Sequence, residues 1–227
     1  MRLLKNYAYK KTEIMRLNGI VLSLFAIISL TVGAQDWSTD VYKYGEQYPG
    51  FVIDVSGKKI EGFIKYQNRY TMQNSVLFYS EKGNKKSKVK YKTADLKEYK
   101  VADKVYHCIP YSGGLSAKAI RANLLVKEGC IAEYVWYDRA ENYATMQKSP
   151  SETDEEFMIR KYPPKTVYFK NGDKPRTVDY FGLKFSTKMS EWISDNQGLS
   201  EKVANKEKGY KMLNILNIIE EYNEACE

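Results

Sequence analysis

The sequence predicts an α+β protein that is mainly β: an antiparallel meander, formed as a small barrel, roll or sandwich, followed by a hairpin and C-terminal helices packed on it. Two observations carry this. Short runs of alternating apolar and polar residues recur between turn residues from Phe51 to Tyr137, the period-two signature of half-buried strands. After Ser186 the apolar spacing changes to that of a helix lying on a core. The 20 tyrosines fit the same picture, since Tyr favours half-buried strands and also makes good contact surface for sugars and peptides.

The amino end reads as a secretory signal peptide over residues 1–34, with Met15 the preferred start. Arg16 supplies a positive charge, residues 20–32 are apolar, and Val32-Gly33-Ala34 places small residues at a cleavage site before Gln35. The apolar run is shorter than the roughly 20 residues that span a bilayer. A retained anchor is the alternative, and no cysteine follows the run to take a lipid. Removing Arg2, Lys5, Lys10, Lys11, Arg16 and Glu13 halves the formal net charge of +8. Much of the basic character therefore belongs to export, and nucleic acid is demoted as a partner. The expected location is periplasmic, outer-membrane-associated or secreted, with no transmembrane span in the mature chain.

Residues 35–48 read as an exposed lead-in. The β domain covers 49–139. Residues 51–55 and 60–66 alternate around Ser56-Gly57-Lys58-Lys59, a hairpin signal. Strands follow at 76–79, 87–92, 96–101 and 105–109. Pro110 to Ser116 is a loop, and 122–126 with 130–137 form another hairpin. Residues 140–165 read as a polar link, with Pro163 and Pro164 blocking regular structure at its end. The last unit, 166–227, opens with a hairpin of 166–170 and 177–181 around Asn171-Gly172-Asp173. Its helices carry apolar stripes at Met189, Trp192 and Ile193, at Leu199 and Val203, and at Met212, Leu213, Leu216, Ile219 and Tyr222. Ser186 or Thr187 is the expected N-cap.

The opening hairpin holds Gly50-Phe51-Val52, Gly57, Ile60, Gly62, Ile64 and Tyr66, and the helical block holds Phe185, Met189, Ser190, Trp192, Ile193, Asp195, Leu199, Lys202 and Val203. In this order the features resemble a group of exported β-rich proteins of the Bacteroidetes type for which no activity is known. The resemblance covers about three quarters of the mature chain and consists of fold-forming positions, so it carries no catalytic residues across. Some members of that group place such an opening segment before an outer-membrane barrel; the resemblance implies a soluble version here.

The residues that could carry chemistry are few. His107 is the only histidine and sits beside Cys108. Neighbours on a strand face opposite ways, which argues against a Cys-His dyad. One histidine also removes the commonest zinc sites, and neither a metal nor a cofactor is expected. Tyr111-Ser112-Gly113-Gly114 lacks the first glycine of a serine elbow and reads as a turn. Glu152, Asp154, Glu155 and Glu156 read as the solvated face of a short helix. Asp54, Glu61, Glu133 and Asp138 lie on or beside strands, and nothing singles out a catalytic pair among them. Three cysteines allow at most one internal disulfide. Cys108–Cys130 is the preferred pairing, with three unpaired thiols the alternative.

The most distinctive stretch is the lysine-rich run 82–100. Lys86, Lys88, Lys90 and Lys92 share one face of a strand by the period-two rule, with Tyr79 and Tyr91 interleaved in the pair. As a site it would bind an anionic envelope component, an acidic glycan or an outer-membrane protein. The plainer reading is an edge strand guarded by lysines. The leading expectation is a non-enzymatic binding or scaffolding protein of the cell envelope. The alternatives are an envelope glycan hydrolase using paired carboxylates and an accessory subunit of an outer-membrane assembly.

Overall fold

The computed structural model of the chain, which describes residues 42–114 and 119–226, has ten strands, nine of them on runs that alternate in the sequence. The signal-peptide reading over 1–34 and the first half of the lead-in lie outside the described residues. The strands are β1 (Gln47–Asp54), β2 (Lys59–Lys65), β3 (Ser75–Tyr79), β4 (Lys88–Lys92), β5 (Leu96–Val101), β6 (Lys104–Ile109), β7 (Arg121–Lys127), β8 (Ile131–Tyr137), β9 (Pro164–Lys170) and β10 (Arg176–Thr177). They form one antiparallel sheet in the order β10-β9-β8-β7-β6-β5-β1-β2-β3-β4. The protein is thus α+β and mainly β, and the sheet is not closed.

The sheet does curl. Three strands separate β4 from β5 in the sheet, yet only Thr93–Asp95 joins them along the chain. Four strand spacings of about 4.8 Å would need roughly 19 Å on a flat sheet. Four residue steps reach at most about 14 Å, so the outer strands must bend round towards β5. Two glycines permit the bend. Gly50 and Gly62 face each other across β1 and β2. A Cβ on Gly50 would lie 1.9 Å from the Lys100 carbonyl oxygen, and one on Gly62 would lie 2.5 Å from the Phe78 ring. Val52, Ile64, Val76, Phe78, Tyr99, Tyr106 and Leu124 fill the inside of the curl. The Tyr99 and Tyr106 rings stack there at 4.6 Å.

A short helix, α1 (Arg69–Met72), bridges β2 and β3 and puts Met72 into that core. Four residues have no readable period, so the sequence reading missed it. Its C-terminal neighbour Gln73 is fully buried, and its amide bonds both the Tyr137 carbonyl, at 2.9 Å, and the Tyr137 amide, at 2.5 Å. The stretch read as a link also holds a helix, α2 (Asp154–Lys161), with a full Thr153–Glu156 capping box. Beyond it Pro164 opens β9, whose long ladder with β8 makes the late hairpin part of the main sheet.

Of the expected strand 177–181 only Thr177 is extended, as the end of β10; the chain then turns into α3 (Val178–Phe181). The cause is Phe181, which is fully buried against Phe185 and Trp192. Helix α4 (Phe185–Trp192) begins without a side-chain cap, so neither Ser186 nor Thr187 plays that part. Helix α5 (Gln197–Ala204) buries Leu199 and Val203 as expected. In α6 (Ile215–Ala225) the buried stripe is Ile215, Ile218, Ile219 and Tyr222, whereas Leu213 and Leu216 are exposed. These helices cover Ile131 and Tyr168 of the sheet.

The disulfide joins Cys130 to Cys226, with Cα atoms 6.5 Å apart, and Cys108 is free. This corrects the Cys108–Cys130 pairing. Cys108 stands opposite Ala122 at the start of β7, while Cys130 follows the far end of that strand at Lys127. The intervening strand puts them about 17 Å or more apart, against the roughly 7 Å limit for a bridge. Beside the bridge, the buried Asn223 amide bonds Ile131 as a strand would: its oxygen accepts from the Ile131 amide at 2.8 Å and its nitrogen donates to the Ile131 carbonyl at 3.0 Å.

Candidate functional site

The strongest candidate is an aromatic cleft built from three segments distant in sequence. The chain before β1 is tied to the end of β2 by bonds of 2.8 Å from the Gly45 amide to the Tyr66 carbonyl and from the Tyr66 amide to the Glu46 carbonyl. This brings Tyr42, Tyr48 and Tyr66 into an edge-to-face cluster, with ring centroids 4.8 to 6.4 Å apart. Then come Gln67 and Asn68, which enter α1. The Asn68 side-chain oxygen accepts from the Thr71 amide at 2.8 Å, fixing the helix start and leaving its amide nitrogen as a donor. Helix α2 is the opposite wall. Asp154, Phe157, Met158 and Lys161 follow the i, i+3, i+4, i+7 rule and so share the face it turns to the cleft.

The cavity is about 400 Å³, within the range of small-ligand sites. Tyr44, Phe157 and Tyr162 supply apolar ring surface, and Tyr44 is 73% exposed. The polar groups are Gln67, Asn68, Arg69, Lys161 and Asp154. Asp154 is engaged by Lys148 at 2.5 Å. Gln67 Oε1 is buried with no hydrogen-bond partner, a state that costs about 1–3 kcal/mol. Arg69 is buried with its guanidinium 5.3 Å from the Tyr137 ring. Burial, and then the hydrogen bond to Asp103, push the Tyr42 phenol up to about 12, so it stays a neutral donor.

The lysine strand lies elsewhere. As β4 it is the outer strand of the sheet, and Lys88, Lys90 and Lys92 are exposed on one face. Lys86 is not on that face; it sits in the 3-10 turn Lys85–Ser87. Asn84 caps this turn through a 2.9 Å bond from the Lys86 amide. Tyr79 is opposite Lys88 but only 6% exposed, and Tyr91 turns inward with its ring edge on Phe78. The two tyrosines therefore do not join the lysines in one open surface.

The other singled-out residues are accounted for locally. His107 Nδ1 shares a 2.9 Å hydrogen bond with the Tyr134 hydroxyl, and its Nε2 is 3.7 Å from Glu98. Cys108 packs on the opposite side, where burial and then Glu98 push its thiol up to about 12. Asp54 accepts from the Ser56 and Lys58 amides and shapes the first turn. Glu61 pairs with Lys59, and Asp138 accepts from the Trp136 indole. Glu152 grips Arg160 through two bonds of 2.6 and 2.7 Å, which hold its carboxyl down to about 2. Ser112 belongs to a bend whose Gly113 takes φ +96° beside Trp136. No cluster of metal ligands occurs among the described residues.

Neither a family model, a curated protein nor a solved structure matches this chain.

The cleft was not legible in sequence because its walls are brought together only by the curl of the sheet. Its one local signal is the spacing of Asp154, Phe157, Met158 and Lys161, which describes a mixed helix face, only Met158 of which packs against the main core.

Proposed function

We propose that the chain is an exported, non-enzymatic binding protein of the cell envelope, related to the Bacteroidetes-type group it resembles, and that its ligand sits in the aromatic cleft. The observation that carries this is the cleft itself: ring surfaces on two walls, the amides of Gln67 and Asn68 and the cations Arg69 and Lys161 beside them, and one carboxylate that is already paired. Such a lining holds a molecule without offering it an acid and a base. The Cys130–Cys226 bridge supports the export reading, because disulfides persist in oxidising compartments. No described helix is long and apolar enough to cross a membrane.

The test is retention of envelope material by the immobilised chain, compared with Phe157→Ala. Retention lost in the variant is the expected result. Equal retention, with loss instead on reversing Lys88, Lys90 and Lys92 to Glu, would move the site to the edge strand.

A second reading, hydrolysis of envelope glycan, is favoured by one observation. Glu133 and Glu220 line a cavity of about 310 Å³ beside α6. Burial raises the Glu133 carboxyl, whereas Lys127, bonded at 2.7 Å, holds Glu220 low. Carboxylates pushed apart in this way are the pattern of an acid and its partner. Release of reducing ends from envelope glycan, abolished by Glu133→Gln, would establish it; no release by the wild-type chain would eliminate it.

A further inference from the structure

We infer that the ligand of the aromatic cleft is a saccharide. This rests on the binding reading above and adds the chemical class. Three features converge on it.

Ring surface comes first. Exposed Tyr44 and half-buried Phe157 offer apolar ring surface, with buried Tyr162 behind them, to a ligand that has apolar faces of its own, as the C–H faces of a pyranose do. The second feature is the pairing of opposite hydrogen-bonding needs on adjacent residues. Gln67 Oε1 is an acceptor that folding leaves without a donor. Asn68 has spent its oxygen on the helix cap and keeps its amide N–H groups. A hydroxyl both donates and accepts, so neighbouring hydroxyls satisfy both residues at once when the half-buried Gln67 side chain turns its closed-off oxygen into the cleft. A purely apolar ligand would leave the Gln67 oxygen unsatisfied.

The third feature argues against an extended peptide. Peptides that add to a sheet need a free strand edge. Strand β2, which leads into the cleft, is paired along its length with β1 on one side and, at Phe63 and Ile64, with β3 on the other. Neither outer strand of the sheet, β4 or β10, contributes a residue to the cleft. What remains is recognition by side chains, the mode suited to a compact polyol. Lys161 lines the cleft and forms no ion pair among the described residues, while the lining carboxylate Asp154 is taken by Lys148. Sugars with and without a carboxylate both fit this electrostatic setting. A uronate would gain from Lys161 an attraction that salt screens.

The experiment is calorimetric titration of the exported chain, disulfide intact, with three probes: neutral glucan oligosaccharides, oligogalacturonates, and an acidic peptide. It is repeated with Gln67→Leu and Phe157→Ala, and the melting temperature of each variant is measured. Gln67→Leu is the informative change. It removes a buried acceptor with no partner, so it should keep or raise the melting temperature while weakening saccharide binding by about tenfold or more. A merely structural glutamine would not give that opposition.

Saccharide binding that falls in both variants, with Gln67→Leu at least as stable as the wild type, supports the inference. Weakening of the galacturonate arm alone at high salt identifies the charged sugar as the preferred source. Binding of the peptide and of neither saccharide, still dependent on Phe157, overturns the saccharide class but leaves the cleft as the site. Saccharide binding unaffected by either substitution, or binding of no probe, overturns the inference and removes the support for the cleft as well.

Discussion

Replacing Cys226 with Ser cuts the bond that holds the end of α6 to the β7–β8 turn, and the size of the effect can be worked from the fold. The two cysteines are 96 residues apart in sequence. Chain-entropy loss for a closed loop of that length amounts to about 4.7 kcal/mol at 25 °C, and native disulfides typically contribute about 2–4 kcal/mol. The variant keeps Ile215, Ile218, Ile219 and Tyr222 buried on the sheet, and keeps the Asn223 bonds to Ile131. It should therefore fold, but with a stability lower by about 3–4 kcal/mol. At a urea slope of about 2 kcal/mol per molar, the midpoint falls by nearly 2 M. The assay is equilibrium urea unfolding of wild type, Cys226→Ser and Cys108→Ser, each with and without reductant. Reductant should lower the wild-type and Cys108→Ser midpoints to that of Cys226→Ser, and leave Cys226→Ser unchanged. A Cys108→Ser midpoint that already matches the reduced protein, or peptide mapping of a bridge to Cys108, would refute the argument.

Three further outcomes follow from the same packing. Asn223→Ala leaves the Ile131 amide and carbonyl without their buried partners. It should cost about 2–4 kcal/mol in urea unfolding, since each unsatisfied group costs about 1–3 kcal/mol. Gly62→Ala puts a methyl 2.4 Å from the Tyr79 carbonyl oxygen and against the Phe78 ring. It should destabilise by about 1–3 kcal/mol or more, while Gly172→Ala, whose Cβ meets nothing within 4 Å, gives the strain of its positive φ alone. Glu133→Gln gives a pH signature. Burial raises the folded carboxyl above its usual value, so the folded chain holds that proton more tightly than the unfolded one. Stability is therefore lost as pH rises from the usual glutamate range through the raised value. The variant should melt higher than wild type at pH 7 and nearly together with it at pH 4; a lower melting temperature at pH 7 would contradict this.

Much of the sheet was legible because alternation is a local property. Nine of the strands had a run that marked them, and the C-terminal change of period marked the helices. The errors lie where a local pattern met a tertiary decision. Residues 177–181 alternate like a strand, yet the chain coils because Phe181 is needed against Phe185 and Trp192. Met212, Leu213 and Leu216 have helical spacing, but the face that meets the sheet is set by Ile215, Ile218 and Ile219. The disulfide could not be read because Cys226 comes near Cys130 only after α6 docks. Period two placed Lys88, Lys90 and Lys92 together but carried Lys86 with them, since the capping of the turn by Asn84 is a feature of other residues. The glycines of the opening hairpin stood out as a pattern before they had a reason; Gly50 and Gly62 are where the backbones of the curled sheet approach too closely for a side chain.

The central claim is that a ligand sits between α1, α2 and the segment leading into β1. Amide chemical shifts of the ¹⁵N-labelled chain, disulfide intact, followed as oligosaccharide is added, test it most directly. The account predicts saturable shifts at Tyr44, Gln67, Asn68 and Phe157, with β4 and the outer face of α6 unmoved. Shifts confined to Lys88, Lys90 and Lys92, or to Leu213 and Leu216, would contradict it.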